Sequence, residues 1–208
     1  MPVFTGLIRE IGTVVDDRNH ILTIRSSLKP EIGDSIAVNG VCLTVTEVLS
    51  NGFRVEAADE TRRIVPPEKL KGRVHLEPAM RMGDRFEGHI VQGHVDTVGT
   101  LRRIERGENA TEYYIAVDPE QIPYLVPKGS VAVDGVSLTI NETGEDWFRL
   151  TIIPHTVENT LFKEYRPGTR VNIETDLFAR YVDHILRHKK AGKKRMSWDE
   201  IDAISMSF

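Results

Sequence analysis

The stretch "VNGVCLTV", Val38 to Val45, decides the fold because the chain writes it again as "VDGVSLTI", Val133 to Ile140. Five of the eight letters are identical, and Cys42 gives way to Ser137. Working outward, "SIAVNGVCLTV" matches "SVAVDGVSLTI", and "GFRVEA" matches "WFRLTI", all at an offset of 95. Glu60-Thr61 falls on His155-Thr156 at that same offset. Further out, "GLIREIGTV" from Gly6 lines up with "GHVDTVGTL" from Gly93 at an offset of 87, and "VHLE" (Val74 to Glu77) lines up with "VNIE" (Val171 to Glu174) at 97. The drifts in offset are loop-length differences. Residues 1–84 and 85–176 are therefore two versions of one module. This is a tandem duplication, since a solenoid needs at least three short units.

Each module reads as β. "HILTIRS", "SIAVNGVCLTVTEV", "FRVEAA" and "RVHLE" alternate apolar and polar residues at period two and are rich in Val, Ile and Thr. Asn39-Gly40 and Asp134-Gly135 are pairs that readily take positive φ, which predicts a hairpin turn or a bulge. Five or six short strands in about 85 residues imply a small closed antiparallel barrel, because closure removes sheet edges. From Leu177 the apolar residues fall at 177, 178, 181, 182, 185 and 186, a helical stripe. That stripe predicts a helix over 177–190 for oligomerisation. It runs into "RHKKAGKKR" and a basic tail over 191–208, where "SWDE" from Ser197 has the pattern of a capping box and predicts a short last helix. The predicted fold class is all-β, with two tandem barrels plus a C-terminal α-helix.

The 208 residues are 40% hydrophobic and 28% charged, with a formal net charge of −4, which offers no general attraction for nucleic acid. No apolar run approaches the roughly 20 residues of a membrane span. A single cysteine rules out an intrachain disulfide, and no basic-then-apolar leader opens the chain, so a cytoplasmic setting is expected.

Phosphate loops, nucleophile elbows and dinucleotide fingerprints are missing. His89 and His94 are five apart on an expected strand and so face opposite sides. His184 and His188 share a helical face but have no third ligand, so no metal is expected. The duplication is the better filter. Cys42 answers to Ser137, Leu7 to His94, Gly33 to Lys128, Glu60 to His155, and Ala79 to Asp176. His94, Lys128, Ser137 and Asp176 together offer a proton shuttle, a cation, a nucleophile and a charge partner. Each has a plain alternative: drift between copies, a small core residue for Cys42, a backbone hydrogen bond for Ser137, Thr44 or Thr139, a helix N-cap for Asp176.

The ordered set "FTGLI", "NGVCLTV", "GHIVQGHVD", "KGSVAVDGVSLT", "IPHTVENT" and "VNIETD" covers essentially residues 3–186 and resembles the α-type riboflavin synthase family. The resemblance implies two six-stranded antiparallel barrels and a homotrimer built around the C-terminal helices. It implies dismutation of two molecules of 6,7-dimethyl-8-ribityllumazine. One gives a four-carbon unit to the other, yielding riboflavin and 5-amino-6-ribitylamino-pyrimidinedione with no cofactor or metal. Two lumazine molecules, one per barrel, then account for the duplication, with the productive pair expected between barrels of neighbouring subunits. Carried over by motif, Thr5, Gly6, Leu7 and Ile8 with Cys42, Leu43, Thr44, Ala58, Asp59, Glu60 and Thr61 line the first site. Gly93, His94 and Val95 with Lys128, Ser137, Leu138, Thr139, Ile153, Pro154, His155 and Thr156 line the second. Phe4 matches an aromatic thought to bear on catalysis. His94, Ser137, Asp176 and Cys42 are the candidates for proton transfer and addition. Arg62, in place of an apolar residue, and Pro66-Pro67 depart from the pattern and imply a different rim at the first site. A non-catalytic lumazine-binding protein shares the barrels. A flavin-reductase barrel would need a nicotinamide domain for which the residues after Asp176 leave no room. A double-barrel interaction module is the blandest reading.

Overall fold

The structure, a computed structural model, describes residues 2–191, with side chains to His188. The "SWDE" segment and nearly all of the basic tail lie outside the described residues. The first barrel consists of β1 (Glu10–Arg18), β2 (Ile21–Arg25), β3 (Ser35–Val38), β4 (Val41–Leu49), β5 (Gly52–Glu56) and β6 (Gly72–Pro78). The second consists of β7 (Thr97–Arg106), β8 (Thr111–Ala116), β9 (Ser130–Val133), β10 (Val136–Thr143), β11 (Trp147–Ile152) and β12 (Arg170–Thr175). Both close, in the orders β1-β2-β5-β4-β3-β6 and β7-β8-β11-β10-β9-β12. Every neighbouring pair is antiparallel.

The duplication extends to the irregularities. β1 bulges between Val14 and Asp16 and β7 between Leu101 and Arg103, an offset of 87. β4 bulges between Val45 and Glu47 and β10 between Ile140 and Glu142, an offset of 95. Asn39-Gly40 and Asp134-Gly135 are both two-residue hairpin turns, with φ of 46° and 79° against 45° and 81°. Bulges bend the strands and increase twist, which a six-stranded barrel needs in order to close.

Each barrel has its own core. Leu22, Ile24, Val38, Phe53, Val55 and Leu76 fill the first, and Ile115, Val131, Phe148, Leu150, Val171 and Ile173 fill the second. A third, smaller cluster lies between them: Phe4, Ala37, Val91 and Ala132. Ala37 and Ala132 are matched residues, and the matched Phe4 and Val91 bridge each other directly. The hairpin turns also meet, so that a Cβ on Gly40 would stand 2.7 Å from the Gly135 nitrogen, and the reverse. These reciprocal contacts define a pseudo-two-fold axis between the barrels.

Polar groups complete the interface. The Asn172 amide donates to the Asn39 carbonyl at 2.9 Å, while His75 Nδ1 meets the Asp134 carbonyl at 2.9 Å. The Leu161 N–H donates to His75 Nε2 at 2.7 Å, so the proton sits on Nδ1 and the ring is neutral. Burial holds the His75 pKa down at about 4, in keeping with that assignment. Asp134 breaks the symmetry. Its carboxylate pairs with buried Lys69 at 2.6 Å and also accepts from the Tyr165 hydroxyl and the Asn172 N–H.

Two short helices, α1 (Asp59–Ile64) and α2 (Pro154–Asn159), occupy matched places after the fifth strand of each barrel. The period-two reading of the sequence did not anticipate them. Helix α3 (Leu177–Ala191) follows β12 and leaves Phe178, Tyr181, Val182, Ile185 and Leu186 exposed. No helix among the described residues is long and apolar enough to cross a membrane.

Candidate active site

The glycine segments change partners. Gly6, assigned from sequence to the first barrel, lies against the second: the Ser137 N–H donates to its carbonyl at 2.8 Å, and Ile8 packs on the second core. Gly93 does the converse. The Cys42 N–H donates to its carbonyl at 2.9 Å, and Val95 packs on the first core. The two glycines have φ of 76° and 77°, and a Cβ on either would fall 2.5 Å from the Cβ of Ser137 or Cys42. Only glycine combines that backbone with that approach. The expected lining sets are therefore corrected. Thr5, Gly6, Leu7 and Ile8 go with Ser137, and Gly93, His94 and Val95 go with Cys42.

Two buried carboxylates hold the exchange in place. Glu77 accepts from the Thr5 N–H at 2.7 Å, the Thr5 hydroxyl at 2.8 Å and the Gly6 N–H at 2.9 Å. Its counterpart Glu174 accepts from the backbone of Gln92, Gly93 and His94 at 2.7, 2.9 and 3.1 Å. Burial raises the pKa of both, Glu174 to about 7, against the opposing pull of these hydrogen bonds. Sequence comparison aligned the two residues without assigning them a role. The signal was present in a carboxylate kept at a position that alternation places inside.

The first mouth opens on a cavity of about 440 Å³ lined by Cys42, Ala58, Glu60, Thr61, Ile64, Gly93, His94 and Val95. Burial pushes the Cys42 thiol up, opposed by the Ser35 hydroxyl, so it is not a thiolate at neutral pH. Thr44, two residues along the same face, is exposed, whereas the Leu43 side chain is buried in the first core. Asp59 faces His20 across 3.5 Å and does not line the cavity. Arg62 also turns away, to a bidentate pair with Asp17 on β1 at 2.6 and 3.1 Å, and does not line the cavity.

The second mouth is built around Ser137. His89 stands 2.7 Å from its hydroxyl through Nδ1. The expected strand through His89 and His94 does not form: residues 86–96 carry one isolated bridge, at Val91. The histidines separate because the segment crosses from one barrel to the other, leaving His89 at the second mouth and His94 exposed at the first. Leu138 packs on the second core, while Thr139, Ile153, Pro154 and His155 are exposed and Thr156 is half-buried. Lys128 is exposed with φ 68°, where Gly33 has 93°. Each donates its N–H to the matched strand, Lys128 to Ile140 at 2.7 Å and Gly33 to Val45 at 2.8 Å. A lysine in a glycine conformation costs about 1–2 kcal/mol, the kind of strain that accumulates where a side chain has a task.

Asp176 takes the N-cap place named for it as the plain alternative, and Phe4 lies between the barrels. The Asp176 carboxylate accepts from the Phe178 N–H at 2.7 Å and caps α3, and the histidine in its field is His89 rather than His94. Phe4 is 0% exposed in the cluster between the barrels and presents no face to either mouth. Burying such a ring contributes about 2–3 kcal/mol, which helps to order the segment that follows. Among the described residues no group of three His, Cys, Asp or Glu side chains could hold a metal ion.

Each barrel therefore has a mouth walled by one strand of its own and a glycine segment from the other copy. The lumazine binding domain model matches the chain twice, over residues 5–79 and 92–176. A riboflavin synthase of Bacillus subtilis (strain 168) is 43% identical over 204 residues, covering 94% of this chain and 95% of the relative. One from Actinobacillus pleuropneumoniae is 38% identical over 202 residues, covering 93% and 94%. The crystal structure of LumP complexed with 6,7-dimethyl-8-(1'-D-ribityl) lumazine shares the fold with a TM-score of 0.70 at 21% identity, covering 83% of this chain and 98% of LumP. The chain belongs to the riboflavin synthase family of tandem lumazine-binding barrels.

Proposed function

We propose that the chain catalyses the riboflavin synthase reaction, in which one 6,7-dimethyl-8-ribityllumazine passes a four-carbon unit to a second. The products are riboflavin and 5-amino-6-ribitylamino-pyrimidinedione, and no cofactor takes part. The observation that carries this is the pair of equivalent mouths on one chain, since a dismutation needs two copies of one molecule. Holding both in register removes a bimolecular step, worth about 7–11 kcal/mol of the barrier at best. Cys42, Thr44, Glu60, Thr61 and His94 would bind one lumazine. Ser137, Thr139, Lys128, His155, Thr156 and Leu7 would bind the other. Asp176 would act through its charge.

A homotrimer joined by α3 is part of the proposal. Five large apolar side chains exposed on one helix support burial against other copies, and sedimentation tests it. The single cysteine supports a cytoplasmic setting. The reaction is tested by adding dimethylribityllumazine alone and following riboflavin absorbance. Binding with altered fluorescence but no riboflavin would identify a carrier of the LumP kind instead.

A further inference from the structure

We infer that His89 is a positioning residue that holds Ser137 as a hydrogen-bond donor to the lumazine ring, not as a nucleophile. The inference rests on the lumazine reaction proposed above and adds a role at the second mouth.

Ser137 has little freedom. A Cβ on Gly6 would meet its Cβ at 2.5 Å, and one on Gly88 would approach it to 3.4 Å. Its N–H is committed to Gly6, and its hydroxyl lies 2.7 Å from His89 Nδ1. The direction of that bond follows from the other end of the ring. His89 is 7% exposed, and its Nε2 is buried with no partner among the described residues. Were the proton on Nε2, a buried N–H would be orphaned, which folded proteins rarely tolerate; an unpaired acceptor nitrogen is tolerated better. The proton therefore sits on Nδ1, which donates to Ser137 Oγ. The serine proton is left to point outward, toward whatever occupies the mouth. Burial lowers the His89 pKa despite the Asp176 carboxylate, so the ring is neutral as this arrangement requires. A nucleophilic serine would need the opposite polarity, with Nδ1 accepting. A fixed donor aimed where charge develops is the more economical device, and losing one typically costs about 10²–10³ in kcat.

The test compares His89→Asn with His89→Leu. The asparagine amide can donate from nearly the position of Nδ1 but cannot accept a proton as a base. The expected result is that His89→Asn keeps kcat within about fivefold, whereas His89→Leu loses about 10² in kcat with KM changed less than about threefold. If His89 were a base for Ser137, both variants would fail equally, and that result overturns the inference. Long-range ¹H–¹⁵N correlation on the wild-type protein reads the tautomer directly. A protonated Nδ1 is expected, and a protonated Nε2 overturns the inference even if His89→Leu fails to fold. If the wild type makes no riboflavin, the proposed function alone falls. The tautomer, with riboflavin affinity kept by Asn and lost by Leu, then decides the role of His89.

Discussion

At the first mouth Cys42 stands against Gly93, and at the second Ser137 stands against Gly6, with the same hydrogen bond and the same φ at the glycine. The backbones are interchangeable there, but the side chains are not. The second mouth has Ser137 with His89 against it, while the first has a cavity, a protonated thiol and His94. His89 has no histidine counterpart: at the offset that pairs Phe4 with Val91 it answers to Pro2, and it lies outside both matched spans of the family model. Duplication thus supplied two equivalent frames, and the linker and a few substitutions made them unequal. The clustering of reactive residues in the second copy is partly undone in space, since His94 crosses to the first barrel.

The largest break in the comparison should come at the pseudo-two-fold axis. Asp134→Asn makes the two hairpin turns alike, but it turns an amide toward the Lys69 ammonium and the Tyr165 hydroxyl. Burial, the largest cause of the raised Tyr165 pKa, remains in the variant and keeps that phenol protonated, so it cannot serve as the counter-ion. Leaving a buried charge unpaired costs about 3–5 kcal/mol, or about 10 °C of melting temperature for a chain of this size. An unchanged melt would mean that Lys69 sheds its charge or escapes to solvent.

Next comes the exchange of glycine segments. Gly93→Ala places a Cβ 2.7 Å from the Cys42 backbone nitrogen, while Gly33→Ala meets nothing within 4 Å, although both have positive φ. Thermal melts should show a loss of about 3 kcal/mol for the first and about 1–2 kcal/mol for the second. Equal losses would show that the contact with Cys42 is not what position 93 requires.

Asp176, matched by Ala79, sharpens the comparison in function. Asparagine is as good an N-cap as aspartate, so Asp176→Asn keeps the Phe178 hydrogen bond and removes only the charge. Turnover should fall about 10², equivalent to about 2.7 kcal/mol of barrier, with melting within a few degrees. Undiminished turnover would reduce Asp176 to a cap.

The smallest effect belongs to Cys42→Ser, which gives the first mouth the residue of the second. Because burial keeps the thiol protonated, no thiolate is lost, and turnover should stay within about fivefold. A serine variant that binds lumazine normally but has no turnover would instead assign the thiol a covalent role.

Alternation at period two, Val, Ile and Thr content, and the Asn-Gly and Asp-Gly turns determined the strands and the two barrels, and an apolar stripe at helical spacing determined the helix from Leu177. These are local signals, and for the strands and turns the repeat confirmed each against its copy. The matched pair Cys42 and Ser137 was also legible, because the two copies align there at one offset. Leu43, carried over by motif with Cys42 and Thr44, has its side chain in the first core. The place of Phe4 was not legible, because Val91, Ala37 and Ala132 around it come from distant parts of the chain, whereas the Asp176 cap on the Phe178 N–H is local and was legible. What only the tertiary structure decided is which barrel each glycine segment serves. A pseudo-two-fold axis makes the two choices locally identical: Gly6 on Ser137 repeats the contacts of Gly93 on Cys42, and Glu77 clamps Thr5-Gly6 as Glu174 clamps Gly93-His94. No pattern of residues within a module distinguishes docking on itself from docking on its twin. The path of the linker through Val91 to Phe4 selects the crossed arrangement, and with it brings His89, and not His94, to Ser137.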